Sequence, residues 1–211
     1  MLPKTLAGRS IAVLVIVHAV GIAGMLSPWA AWFRMLTPVN LLLSLCLVLI
    51  NHRPWTRGQI TALALAFLVG LAVEMVGVAT GVIFGEYSYG RTLGFKLFEV
   101  PLVIGVNWAM LVFCTGALVA RLETALLLKA ALSAAVMTGL DALIEPVAIQ
   151  LDFWSWAGHE IPLQNYLAWF VVAFVLLLVF HHQFNKVRNP VAVALLVIQA
   201  VFFGALNVLI A

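Results

Sequence analysis

The sequence predicts an all-α protein: a polytopic membrane helical bundle of about seven transmembrane helices, forming a single integral membrane domain over residues 1–211. Three observations carry this. First, 65% of the 211 residues are hydrophobic and only 9% are charged, against roughly 25% charged in soluble domains. Second, the mean hydropathy is +1.16. Third, the apolar residues fall into long runs separated by short polar or proline-containing connections, and most runs approach the ~20 residues that cross a bilayer.

The spans are drawn at about 10–30, 36–51, 60–83, 97–119, 125–149, 164–182 and 191–210. The start of the chain looks like a signal peptide. Its apolar run continues to about Trp29 without a small-residue cleavage site, so it reads as the first span. The second span is short. Arg53-Pro54-Trp55-Thr56-Arg57-Gly58 separates spans two and three, and Asn189-Pro190 opens span seven. Cys46 and Cys114 both fall inside apolar spans without metal-ligand company, which argues against a disulfide framework.

Basic residues set the expected orientation. With the N-terminus cytoplasmic, that face carries Lys4, Arg9, Arg53, Arg57, Arg121, Lys129, Lys186 and Arg188, and the other carries Arg34, Arg91 and Lys96. The expected location is the plasma membrane, multi-pass, with the C-terminus outside. The pI near 9.1 does not point to nucleic acid, because the basic residues sit in short loops beside the membrane.

The chemistry centres on Asp141-Ala-Leu-Ile-Glu145-Pro146 in span five. Residues four apart share a helix face, and the proline is expected to break the helix beside Glu145. Intramembrane acids are costly, and none of these has a nearby base. Counting at 1.5 Å per residue, Glu74 lies roughly 13 Å, Asn107 roughly 15 Å, Asp141 roughly 12 Å and Glu145 roughly 6 Å from the outer end of its span. Asn40, Asn165 and Asn207 fall in outer halves, Glu99 near the outer end of span four, and His18 near mid-membrane. Taken singly, an asparagine is ordinary glue between helices, and Glu86 and Glu99 are ordinary interfacial acids. Together the polar residues predict one chamber, open to the outer face and elongated.

Three acids without a counter-cation cannot all be ionised in a low-dielectric site. A neutral carboxylic acid beside a carboxylate is an acid–base pair, able to protonate an alkene and take a proton from water. Carboxylate charge and the faces of Tyr87, Tyr89, Trp108, Trp154, Trp156 and Trp169 would stabilise the cation between those steps. The expected catalytic groups are Asp141 as proton donor, Glu145 as base toward water, and Glu74 in support.

Several segments carry a resemblance: Glu74-Met-Val-Gly-Val-Ala-Thr-Gly81 with Phe84-Gly-Glu-Tyr-Ser-Tyr-Gly90, Val100-Pro-Leu-Val-Ile-Gly-Val-Asn-Trp108, Asp141-Ala-Leu-Ile-Glu-Pro-Val-Ala148, Trp154-Ser-Trp156 and Ile161-Pro-Leu-Gln-Asn-Tyr166. In this order the chain resembles the membrane carotenoid biosynthesis proteins typified by the carotenoid 1,2-hydratases (the bisanhydrobacterioruberin hydratase and γ-carotene 1′-hydratase type). The resemblance covers about the middle half of the chain. It implies addition of water to the terminal C1=C2 double bond of an acyclic ψ-end group, without a redox cofactor; no other cofactor and no metal are expected. The polar positions it carries over are Glu74, Glu86, Tyr87, Asn107, Asp141, Glu145 and Asn165; Tyr89, Trp108, Trp154 and Asn40 join them as substrate- or water-positioning candidates. It also implies a carotenoid substrate arriving from the lipid phase, membrane lipid as surroundings, and other carotenoid-pathway enzymes as candidate partners.

Rival readings are a carotenoid cyclase, which shares the protonation step, and a proton-coupled transporter, which needs a polar route through inner halves that are almost purely apolar. A retinal receptor would need a lysine in span seven, which has none. A metal held by Glu74, Asp141, Glu145 and His18 is a further alternative.

Overall fold

The computed structural model describes residues 5–184 and 187–210. Lys4 and Lys186, used in the orientation count, lie outside the described residues. Eight α-helices are present among the described residues: α1 (Leu6–Met25), α2 (Ala30–Met35), α3 (Thr37–Ile50), α4 (Arg57–Thr80), α5 (Val103–Val119), α6 (Leu126–Gln150), α7 (Leu163–Gln183) and α8 (Pro190–Leu209). A helix occupies each of the seven predicted spans, and the short α2 is additional. By length and composition, α1, α4, α6, α7 and α8 are able to cross a membrane; α3 and α5 are shorter apolar helices of 14 and 17 residues.

The outward faces confirm a multi-pass membrane protein. Ile16, Leu68, Val171 and Val201 are each 59% or more exposed. Lipid tails are as apolar as these side chains, so their exposure costs nothing in a bilayer. Helix α5 is different. Every residue in it except Asn107 and Leu118 is buried, because α3, α4, α6, α7 and α8 all pack around it. A helix that is apolar all round is a core helix.

Local sequence explains the helix ends. Thr56 caps α4 by accepting from Gln59 N–H, and the Gln59 side chain returns the bond to Thr56 N–H. The same helix stops at Gly81, whose φ of 66° is the left-handed conformation that glycine adopts freely. Asn189 caps α8 ahead of Pro190.

Two expectations are corrected here. Pro146 does not break the helix: α6 runs through it to Gln150. The proline removes one amide donor, but a lipid-embedded segment that unwound would strand several more backbone groups. Span four also begins later than predicted. Residues Lys96–Leu97 (β2) and Val100–Pro101 (β3) pair as an antiparallel hairpin. Phe98 and Glu99 form its loop with φ of 48° and 62°, the positive values that two-residue hairpin loops favour. Glu99 is therefore a surface residue, its side chain 81% exposed and 3.8 Å from Lys96 Nζ.

A second ribbon decides the site. Tyr87–Tyr89 (β1) pairs antiparallel with Trp154–Trp156 (β4), in the register Tyr87↔Trp156, Ser88↔Ser155, Tyr89↔Trp154. Backbone bonds Gly90 N–H to Phe153 O and Ala157 N–H to Glu86 O, both 2.9 Å, extend the pairing at either end. The ribbon covers the end of the bundle where α4 and α6 finish and α5 and α7 begin. The Gln164 amide donates to the carbonyls of Val82 and Ile83, tying the start of α7 to the segment after α4.

Candidate active site

Strand geometry aims the aromatics. Alternate residues of a strand point to opposite faces, so Tyr87, Tyr89, Trp154 and Trp156 share one face of the ribbon. Ser88 and Ser155 face away, their hydroxyls 3.3 Å apart. The four polar tips all reach carboxylates. Tyr87 and Tyr89 donate to Glu74 Oε2 at 2.6 and 2.8 Å. Trp154 and Trp156 donate to Glu145 Oε2, each at 2.9 Å. The rings contact one another across the ribbon, Tyr87 to Trp156 at 5.0 Å and Tyr89 to Trp154 at 6.0 Å.

The helices complete the shell. Trp108 on α5 donates to Glu74 Oε1 at 3.1 Å and stacks on Trp169 of α7 at 4.2 Å. Asn165, in the first turn of α7, donates to Glu145 Oε1 at 3.0 Å and to Asp141 Oδ2 at 3.3 Å. Glu74, Asp141 and Glu145 are each only 2% exposed, so Glu145 is no shallower in practice than Asp141. The ribbon, absent from the helix-depth count, covers it. The three carboxylates are close enough to feel one another's charge, and no lysine or arginine lines the cavity between them.

That cavity is small, about 30 Å³. It is room for a water or two, not the elongated chamber expected. The large aromatic side chains on the ribbon face fill the rest. Its lining unites Glu74, Tyr87, Tyr89, Asn107, Asp141, Glu145, Trp154 and Asn165 with Trp156 and Trp169. Trp108 belongs to the same network through Glu74. Measured from the ends of their helices, these polar groups lie roughly 3 to 14 Å in, and Asn107 only roughly 6 Å.

Two candidates lie elsewhere. Glu86 is exposed outside the cavity, in the bend just before β1. Asn40 faces a different cavity, between α1, α3 and α8, together with His18. The metal set that included His18 is thereby separated in space. Among the described residues, no three His, Cys, Asp or Glu side chains are grouped to hold a metal ion.

Burial, and next the Glu74 carboxylate, push the phenols of Tyr87 and Tyr89 well above the ordinary tyrosine range. Both remain O–H donors throughout physiological pH. The indole N–H can only donate, so Glu145 Oε2, which receives two of them, is held as an acceptor. Asp141 accepts one bond among the described residues, from Asn165. It accepts fewer side-chain hydrogen bonds than either of the other two acids.

One close approach holds this network. A Cβ on Gly70 of α4 would sit 2.3 Å from Trp108 Cγ. Gly70→Ala is therefore expected to force Trp108 off Glu74 and to cost about 1–3 kcal/mol from overpacking. Melting temperature and turnover should fall together. Wild-type values for both would show that α4 and α5 part freely.

The aromatic ribbon was missed by the helix-by-helix reading. Its signal is present in Tyr-Ser-Tyr and Trp-Ser-Trp, two period-two alternations of strand-favouring aromatics.

A bisanhydrobacterioruberin hydratase from Haloarcula japonica is 30% identical over 135 residues. The match takes in 59% of this chain and 45% of that protein, so the chain spans about half the length of the curated relative. No solved structure matches. The family described as "Carotenoid biosynthesis protein" matches residues 30–211, which includes every acid, both strands of the aromatic ribbon and all helices after α1: the chain belongs to that family.

Proposed function

We propose that this protein is a carotenoid hydratase that adds water to the terminal C1=C2 bond of an acyclic ψ-end group. The observation that carries the proposal is the buried triad of Glu74, Asp141 and Glu145, lidded by aromatic side chains and without a cation in the cavity. In this reading Asp141 gives its proton to C2, leaving a tertiary cation at C1. Water bonds to C1, and the proton it loses passes to Glu145. Return of that proton to Asp141 through water closes the cycle. Alkene and water become a tertiary alcohol with no change of oxidation state overall, so no redox cofactor is required.

The hydrogen bonds support these roles. Glu145 is held as an acceptor by two indoles and Asn165, whereas Asp141 keeps an oxygen for a proton. Glu74, fixed by two phenols and an indole, supplies fixed negative charge near the cation. The faces of Tyr87, Trp154, Trp156 and Trp169 add cation–π attraction, and Asn107 and Tyr89 complete the wall that orients substrate and water. The cavity has room for the attacking water. An end group enters only if the ribbon aromatics shift, which suits a substrate arriving from surrounding membrane lipid. Other enzymes of carotenoid biosynthesis are the partners expected to supply and receive it. The eight-to-three basic asymmetry favours a cytoplasmic N-terminus and an outer C-terminus, and the proposed location is the plasma membrane.

Expression in a host that accumulates lycopene, followed by mass analysis of its pigments, tests the proposal. A product heavier by one water per processed end is the expected result. A new pigment of unchanged mass would assign a cyclase instead. Unaltered pigments alongside proton-coupled uptake would assign a transporter.

A further inference from the structure

The cavity that claims Asn40 and His18 is not part of the acid site. It holds about 370 Å³ between α1, α3 and α8, at the same end of the bundle. That size is within the range of small-molecule sites. Its walls are mostly apolar, including Met25, Leu41, Phe202 and Phe203, and lipid-phase molecules are the ones that reach such a place.

Its few polar groups are unusual. Thr37 Oγ1, Asn40 Oδ1 and Gln199 Oε1 are all buried without a hydrogen-bond partner among the described residues. Gln199 as a residue is only 4% exposed. Thr37 and Asn40 stand three apart on one face of α3. His18, 5% exposed, places Nδ1 2.8 Å from the Leu14 carbonyl. A carbonyl only accepts, so Nδ1 carries the hydrogen and, in the neutral ring, Nε2 is an acceptor. The cavity thus gathers three acceptors and one hydroxyl on an apolar wall. Buried polar atoms are rarely left unsatisfied, and three such atoms around one void, two of them amide oxygens that only accept, indicate a missing donor.

We propose that this cavity binds a lipid-phase alcohol, an apolar branched chain ending in a hydroxyl that donates to Asn40 or Gln199. Such an alcohol is what hydration of an end group would yield, and only this link to product rests on the proposed function. Phe153 joins the two sites in the chain. It lines this cavity, and the next residue, Trp154, bonds Glu145. A hydroxylated end leaving the acid site would meet acceptors behind that loop.

The test uses purified full-length protein in detergent and two probes, 2,6-dimethyloctan-2-ol and the alkane 2,6-dimethyloctane. Apparent affinities come from the ligand-dependent rise in melting temperature. One hydrogen bond to an otherwise unsatisfied group should make the alcohol bind about tenfold tighter than the alkane. The preference should vanish in the Asn40→Leu/Gln199→Leu double variant. That variant should fold, since exchanging an unsatisfied polar atom for an apolar one removes a penalty. Asp141→Asn should keep the preference. Equal binding of both probes to the wild type would overturn the proposal, leaving a void filled by water or lipid; this readout needs no variant. A preference that survives the double variant, or is lost in Asp141→Asn, would place the alcohol elsewhere and equally overturn it. If the preference stands while the lycopene host shows no hydrated pigment, the alcohol site is real and the hydratase reading fails.

Discussion

Asp141→Asn is expected to reduce hydrated product by about 10²–10⁴-fold, the usual contribution of a general acid, with wild-type levels of protein in the membrane. The substitution is nearly isosteric and exchanges one oxygen for an amide that cannot deliver a proton to carbon. Folding should survive because Asp141 contributes a single long bond, 3.3 Å, from Asn165. The asparagine oxygen can still accept it. Removing a charge-capable group from a site where it is 2% exposed also lowers the cost of burial. Pigment turnover normalised to membrane-inserted protein is the measurement. Activity near half of wild type would mean that Asp141 is not the acid and that the proton comes from another member of the triad.

Glu145→Gln should lose water addition by a comparable factor, for a different reason. Both carboxylate oxygens of Glu145 are acceptors: Oε2 takes Trp154 and Trp156, and Oε1 takes Asn165. A glutamine must turn its NH₂ toward one of these donors. Facing the two indoles, it separates the ribbon from α6. Facing Asn165, it forces that amide to rotate and breaks its bond to Asp141. Either way the base is gone and the lid or the acid is disturbed. If Asp141 still protonates the end group, the cation should escape by proton loss or ring closure. Double-bond isomers or cyclised pigments of unchanged mass should then accumulate. Full hydration by this variant would remove Glu145 from the water-activating role and leave Glu74 as the base to test next.

The two acids differ in what supports them, and the difference was only half legible in the chain. The four-residue spacing of Asp141 and Glu145 places both on one helix face whatever surrounds them, so their association follows from sequence. Glu74 could be assigned to the same chamber from its position near the end of an apolar run and the absence of a base. Depth counting misled where a segment was not helical. It put Asn107 roughly 15 Å in because residues 97–102 read as helix, whereas they fold as a strand pair with Phe98 and Glu99 at positive φ. It treated Glu145 as the wetter acid because a helix count contains no lid. It grouped Asn40 with the acids because all lay at one end of the membrane, although depth says nothing about azimuth.

What the sequence alone determined is therefore the class of protein and the identity of its acids. Long apolar runs dictate membrane helices because backbone polar groups have no other partner in lipid, and unpaired carboxylates in such runs mark a site. Tertiary structure alone decided which side chains meet those acids. Tyr87 lies 69 residues in sequence from Trp156 and Tyr89 lies 65 from Trp154, separations bridged by the antiparallel register of β1 and β4. No local preference encodes that register. It is held at the mouth of the bundle, where the phenol and indole donors meet the carboxylates that the helices bury.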